Sequence, residues 1–112
     1  MNKRYLLIRA EKELNKSPLS KTQYINTLRY FDFCCAYCGK SLFENKLEKD
    51  HIIALSKGGL TTRFNIIPAC RSCNASKNNS DYYTWYSSQK FFDRHRLAKI
   101  DTYVVINKGV SS

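Results

Sequence analysis

Two Cys-x-x-Cys pairs, Cys35/Cys38 and Cys70/Cys73, constrain this chain more than any other feature in it. Two thiolates separated by two residues can reach one metal ion from a single tight turn. Two such turns supply a tetrahedral sulfur set, which selects Zn²⁺. Gly39 follows the first pair and permits the turn that brings its sulfurs together. A site with four protein ligands is closed to substrate, so these cysteines are expected to hold structure and do no chemistry. Cys34 is left over. It could stand in for Cys35 as a ligand, but the two-residue gap favours Cys35, which leaves Cys34 as a small buried hydrophobe. Cys38 and Cys70 stand 32 residues apart, wider than a treble clef or zinc ribbon uses, so something sizeable is inserted between the knuckles.

A chain of 112 residues is one domain, with a core small enough to benefit from a metal staple. Its 19 Lys and Arg against 9 Asp and Glu give a formal charge of +10, with basic residues in every third of the chain. That balance suits a polyanion, and nucleic acid is the default partner; a generically basic surface is the blander alternative. Paired Cys-x-x-Cys knuckles read as a metal site kept reduced, not as a disulfide framework. The only apolar run near the start, Leu6-Leu7-Ile8, is too short for a leader or a membrane span. An intracellular, cytoplasmic protein with no membrane partner is therefore expected.

Leu6, Leu7, Ala10 and Leu14 recur at helical spacing among basic residues over 3–16, as either a packing helix or a DNA-binding arm. A second helix is expected from about 18 to 31, with Ser20 and Gln23 as its capping box. Leu47 to Leu55 suits a strand, Ser56-Lys57-Gly58-Gly59 a turn, and Phe64 to Ala69 a second strand closing just before Cys70. Arg71 to Asn79 reads as a short helix fastened at its start by the second cysteine pair. Asp81 is a plausible cap. Tyr82, Tyr83, Trp85, Tyr86, Phe91 and Phe92 form an aromatic cluster, as core over the metal module or as a base-stacking surface, before a last helix from about 93 to 106.

Inside the knuckles stand Asp50-His51, Lys57-Gly58-Gly59, Asn65, Asn74 and Lys77. Asn65 lies 14 residues after His51, and Asn74 lies 9 after Asn65. The pattern from Cys35 to Lys77 resembles the HNH endonucleases, the ββα-metal nucleases. It is similar also to the corresponding domain of RNA-guided CRISPR nucleases. The run from Trp85 to Ile100 looks like the tail of small phage-type members.

The resemblance implies an α+β chain. Its ββα-metal (His-Me finger) core over 33–80, with a structural zinc site made by the four knuckle cysteines, would be flanked by helical segments over 1–32 and 81–112. It implies a metal-dependent DNA endonuclease in which His51 is the general base and Asp50 a ligand of a catalytic divalent ion. Asn74 would be the second ligand, making this an HNN variant, and Asn65 would hold the hairpin in shape. An Asp and an Asn offer hard oxygens, so Mg²⁺ or Mn²⁺ is expected there, beside the structural Zn²⁺, and softer ions are disfavoured. Lys77, Arg71, Lys57 and Arg63 are candidate phosphate contacts. The other readings are a zinc-dependent DNA-binding protein without catalysis and an accessory protein of a phage DNA-packaging machine. DNA is the expected partner, with a homodimer, which double-strand cleavage by a single-site enzyme would favour, or a larger DNA-processing complex beside it. His95, the one other histidine, is expected on an exposed helical face. Asp50 and His51 pose a geometric difficulty: neighbours on a strand face opposite ways, so they share a site only where the backbone bends.

Overall fold

In the computed structural model the described residues are 19–41 and 45–107, with side chains described to residue 104. The helix expected over 3–16, the Ser17-Pro18 step and the tail from Lys108 lie outside them.

The first described helix, α1 (Lys21–Tyr30), begins where the sequence places its cap. The Ser20 hydroxyl accepts from the Gln23 backbone N–H at 3.0 Å, and the Gln23 carboxamide oxygen accepts from the Ser20 N–H at 3.0 Å. That satisfies two donors a helix start would otherwise leave open. Past Tyr30 the chain reverses through Asp32 and Phe33, both at φ 56°, and enters the first cysteine knuckle.

Strands β1 (Leu47–His51) and β2 (Ile66–Cys70) form an antiparallel pair in which Leu47 faces Cys70, Asp50 faces Ile67 and His51 faces Ile66. Every residue of β2 is buried, because β1 flanks it, α1 packs on it and the first knuckle leans on it. The knuckle contact is a hydrogen bond from the Ala36 N–H to the Pro68 carbonyl at 2.9 Å. Pro68 cannot donate to a ladder, but here its acceptor serves a neighbour. The β2 chain runs straight into α2 (Arg71–Lys77). Strand, loop, strand and helix therefore follow one another as a ββα unit in an α+β chain.

Several boundaries differ from expectation: α1 starts at Lys21, not near 18, and α2 ends at Lys77, not Asn79. β1 stops at His51, not Leu55: the chain bends at Ile52 and Ile53, and a single 3₁₀ turn covers Leu55–Lys57. β2 starts at Ile66 instead of Phe64 and includes Cys70. The aromatic cluster has a helix of its own, α3 (Tyr82–Ser87), capped by the Asp81 carboxylate accepting from the Thr84 N–H at 2.9 Å. The last helix, α4 (Arg94–Asn107), lies close to its expected span.

The core answers the aromatic question for most of the cluster. Tyr37 is fully buried and meets Trp85 edge-on at 5.0 Å and Tyr86 at 5.2 Å between ring centroids. Trp85 and Tyr86 are buried with it, while Tyr83 is 54% exposed. α4 joins through Ile100 and Tyr103, and the Tyr103 hydroxyl meets the Thr27 hydroxyl of α1 at 2.7 Å. Cys34 departs from the expectation of a buried hydrophobe. It is half-buried, and its thiol donates to the Asp32 carbonyl at 3.3 Å.

Candidate active site

The four knuckle cysteines come together from the turn that precedes β1 and from the junction of β2 with α2. Their sulfurs all lie within 4.8 Å of one another, and Cys38 Sγ is 3.7 Å from Cys70 Sγ. Metal–sulfur bonds of about 2.3 Å in a tetrahedron require sulfurs spaced on this scale. The cluster is electrostatically unsettled by itself. The Cys35 thiol is pulled down to about 4 by the hydrogen bond from Cys73. Cys38 is pushed up to about 11, chiefly by burial, and Cys73 is raised too, chiefly by its bond to Cys35. One thiolate makes the next costly unless a cation joins them. Cys34 stands outside the cluster.

Asp50, His51 and Asn74 line one cavity of about 230 Å³, with Leu55, Asn78 and Asn79 on its wall. The strand puzzle is solved by position. Asp50 is buried within β1, and His51 is the residue at which the strand ends and the chain turns away. Asp50 accepts from the Tyr37 hydroxyl at 2.5 Å on one oxygen and from the Lys77 ammonium at 3.3 Å on the other. Burial raises its carboxyl above the ordinary value, against the Lys77 charge and the Tyr37 bond. Each carboxylate oxygen can accept twice, so both keep capacity for a further ligand. The Asn74 amide nitrogen donates to Glu48 at 3.0 Å. A carboxylate only accepts, which fixes the orientation of the amide and leaves its oxygen as the donor atom offered to a cation. Two hard oxygens in a polar cavity fit a divalent ion such as Mg²⁺ or Mn²⁺.

His51 is half-buried. Burial, and then the Lys77 charge, hold its imidazole below the ordinary value, which keeps it neutral near pH 7. Its Nε2 lies 2.9 Å from the Thr61 hydroxyl.

Asn65 determines the path of the connecting loop. Its carboxamide oxygen accepts from the Ile53 N–H at 2.8 Å, and its nitrogen donates to the carbonyls of Ile53 and Leu60, each at 2.9 Å. Its own carbonyl accepts from the Ile52 N–H at 2.8 Å. The two loop glycines serve different needs. Gly58 has φ 89°, where a side chain is strained. At Gly59 an added Cβ would lie 1.8 Å from the Ile53 carbonyl oxygen and 2.8 Å from the Asn65 amide nitrogen.

Among the basic candidates, Lys57, Arg63 and Arg71 are exposed. Lys77 is not: it is 0% exposed, and its ammonium donates to Asp50 at 3.3 Å and to the His51 carbonyl at 2.8 Å. Its ammonium is thus turned inward, onto a carboxylate and a carbonyl of the site itself. His95 is exposed on α4 and is not among the residues that line the cavity. Sequence reasoning missed Tyr37, Glu48 and Thr61. A signal existed for Glu48, which is two residues before Asp50 on the same strand and so shares its face. None existed for Tyr37 and Thr61, whose contacts depend on how the knuckle and loop pack.

Residues 35–80 match the family model of the HNH endonucleases. The chain is 33% identical over 97 residues to the "SPbeta prophage-derived putative HNH endonuclease YoqL" of Bacillus subtilis (strain 168); the match covers 76% of this chain and 41% of YoqL. It is 38% identical over 52 residues to the CRISPR-associated endonuclease Cas9 of Corynebacterium diphtheriae, covering 46% of this chain and 5% of that protein. Over 52 residues it is 33% identical to the Cas9 of Actinomyces naeslundii, again 46% of this chain and 5% of the relative. The chain thus spans about two-fifths of YoqL and a small part of each Cas9. No solved structure matches it significantly. Together, the knuckles, the hairpin, the helix and the family match make residues 35–80 a domain of the HNH endonuclease family.

Proposed function

We propose that this chain is a metal-dependent endonuclease that hydrolyses phosphodiester bonds of DNA. The observation that carries the proposal is the shared cavity: Asp50, His51 and Asn74 line one polar pocket, and the HNH match spans all three. Asp50 and Asn74 are the proposed ligands of Mg²⁺ or Mn²⁺. Such an ion, when bound, supplies the positive charge that steadies a phosphate oxygen and the leaving 3′ oxygen. His51, neutral near pH 7, takes the proton of the attacking water. With Nε2 held by Thr61, Nδ1 is the nitrogen that receives it. Asn65 shapes the loop so that His51 and Asp50 face the same space. The four cysteines hold Zn²⁺ as a structural ion, and Lys57, Arg63 and Arg71 lend charge toward DNA. A prophage-derived relative favours a phage or mobile-element origin.

The test is plasmid nicking by zinc-loaded protein with Mg²⁺ or Mn²⁺. Nicking by the wild type is expected, together with its loss in His51→Ala by about 10²-fold or more, while zinc content and DNA binding stay unchanged. A wild type that binds DNA but leaves plasmid intact with both ions would support the zinc-dependent DNA-binding reading instead.

A further inference from the structure

Tyr37 belongs to two places at once. Along the chain it lies between Cys35 and Cys38, inside the first metal knuckle. In space its hydroxyl donates to Asp50 at 2.5 Å, and the whole residue is buried. Its backbone is held as firmly as its ring. The Tyr37 carbonyl accepts from the Tyr86 hydroxyl at 2.6 Å and from Arg96 at 3.5 Å. Trp85 and Tyr86 meet the ring on two sides. A phenol fixed at both ends acts as a rigid strut between the sulfur cluster and the cavity carboxylate.

From these contacts we infer that Tyr37 is the positioning residue for Asp50, and that by fixing this carboxylate it sets the cavity's affinity for its divalent ion. The inference rests on the metal-site reading of Asp50 proposed above and adds a cause for its geometry. Lys77 holds one carboxylate oxygen at 3.3 Å through an ammonium it shares with the His51 carbonyl. Tyr37 holds the other more closely, at 2.5 Å, through a ring packed against Trp85 and Tyr86. Loss of the hydroxyl leaves Asp50 free to swing toward Lys77 and away from the ion. A partner that orients a metal ligand in this way typically changes affinity by about 10- to 100-fold.

The experiment compares Tyr37→Phe with wild type in the zinc-loaded chain. Mn²⁺ binding is followed by electron paramagnetic resonance without DNA, and plasmid nicking is followed as a function of Mn²⁺ concentration. Tyr37→Phe is expected to keep its zinc and its circular dichroism, to bind Mn²⁺ at least about 10-fold more weakly, and to recover nicking at high Mn²⁺. Tyr82→Phe is the matched control. It also removes a phenol that bonds a carboxylate, that of Asp101 at 2.5 Å, and it should leave both curves in place. Equal Mn²⁺ affinity in Tyr37→Phe and wild type overturns the inference.

Should Tyr37→Phe not fold, the wild type carries the test by nuclear magnetic resonance during a Mg²⁺ titration. The Tyr37 ring signals are expected to move together with the Asn74 side-chain amide. An Asn74 amide that moves while Tyr37 stays fixed overturns the role of Tyr37 alone. If neither moves, the metal-site reading falls and this inference with it.

Discussion

Lys77 and His51 show how much burial changes what a side chain can do. The Lys77 ammonium and the Asp50 carboxylate are both removed from water, where a charge without its partner is costly. Lys77→Met should therefore destabilise the fold by about 3–5 kcal/mol, measured by denaturant unfolding of the metal-loaded protein. A loss near zero would mean that Asp50 takes up a proton or water in its place. For His51 the sign of the pH effect follows from its lowered value. As pH falls, the unfolded imidazole takes its proton before the folded one, so acid costs stability. In the folded protein the imidazole stays neutral past the usual value of about 6.5. Nicking at saturating metal should thus hold level down to that pH and decline only below it. A limb centred above neutrality would point to another proton acceptor. The identities of these residues were legible from their spacing. The pairing of Lys77 was not, because chain distance gives no hint that an ammonium turns inward.

The hairpin loop is shaped by Asn65 more than by strand propensity. The apolar run Ile52 to Leu55 reads as strand, yet Ile53 and Leu55 end up exposed, 51% and 61%. The Asn65 carboxamide pairs with both backbone groups of Ile53, so the ladder stops and the chain turns at His51. A side chain that competes with a strand for backbone partners is hard to foresee without its position in space. Asn65→Ala should leave three part-buried backbone groups without their protein partner, at no more than about 1–3 kcal/mol for each. Gly59→Ala should displace the same loop by steric contact with the Ile53 carbonyl. Both variants are expected to lose nicking while keeping the cysteine cluster, checked by zinc stoichiometry. Nicking at wild-type rate in Gly59→Ala would show that the loop path is not needed. The α1 cap was legible because a capping box is local: its two partners sit three residues apart. The α3 helix was not, since six residues of aromatic sequence carry no clear period.

At the scale of the molecule, the sulfur cluster joins the segment before β1 to the β2–α2 junction, and the aromatic core is built on the same knuckle. Folding and metal loading should therefore be one event. Stripping the metal with a strong chelator is expected to lower the unfolding midpoint sharply and to abolish DNA cleavage, with recovery on adding Zn²⁺. A stripped protein that melts as the loaded one does would make the cluster dispensable. The exposed cations at Lys57 and Arg71 act at this scale too. Reversing both to Glu should weaken DNA binding uniformly across sequences and flatten its salt dependence. The cysteine framework and the ββα order were legible because each knuckle is a short local pattern. The closeness of the cavity to the knuckle was not, because it depends on the packing of Tyr37. The indole of Trp85, the single tryptophan of the chain, lies against Tyr37 and is itself buried. The protein therefore carries its own optical gauge. A red shift in that one fluorophore should report the loosening of the knuckle with no label attached.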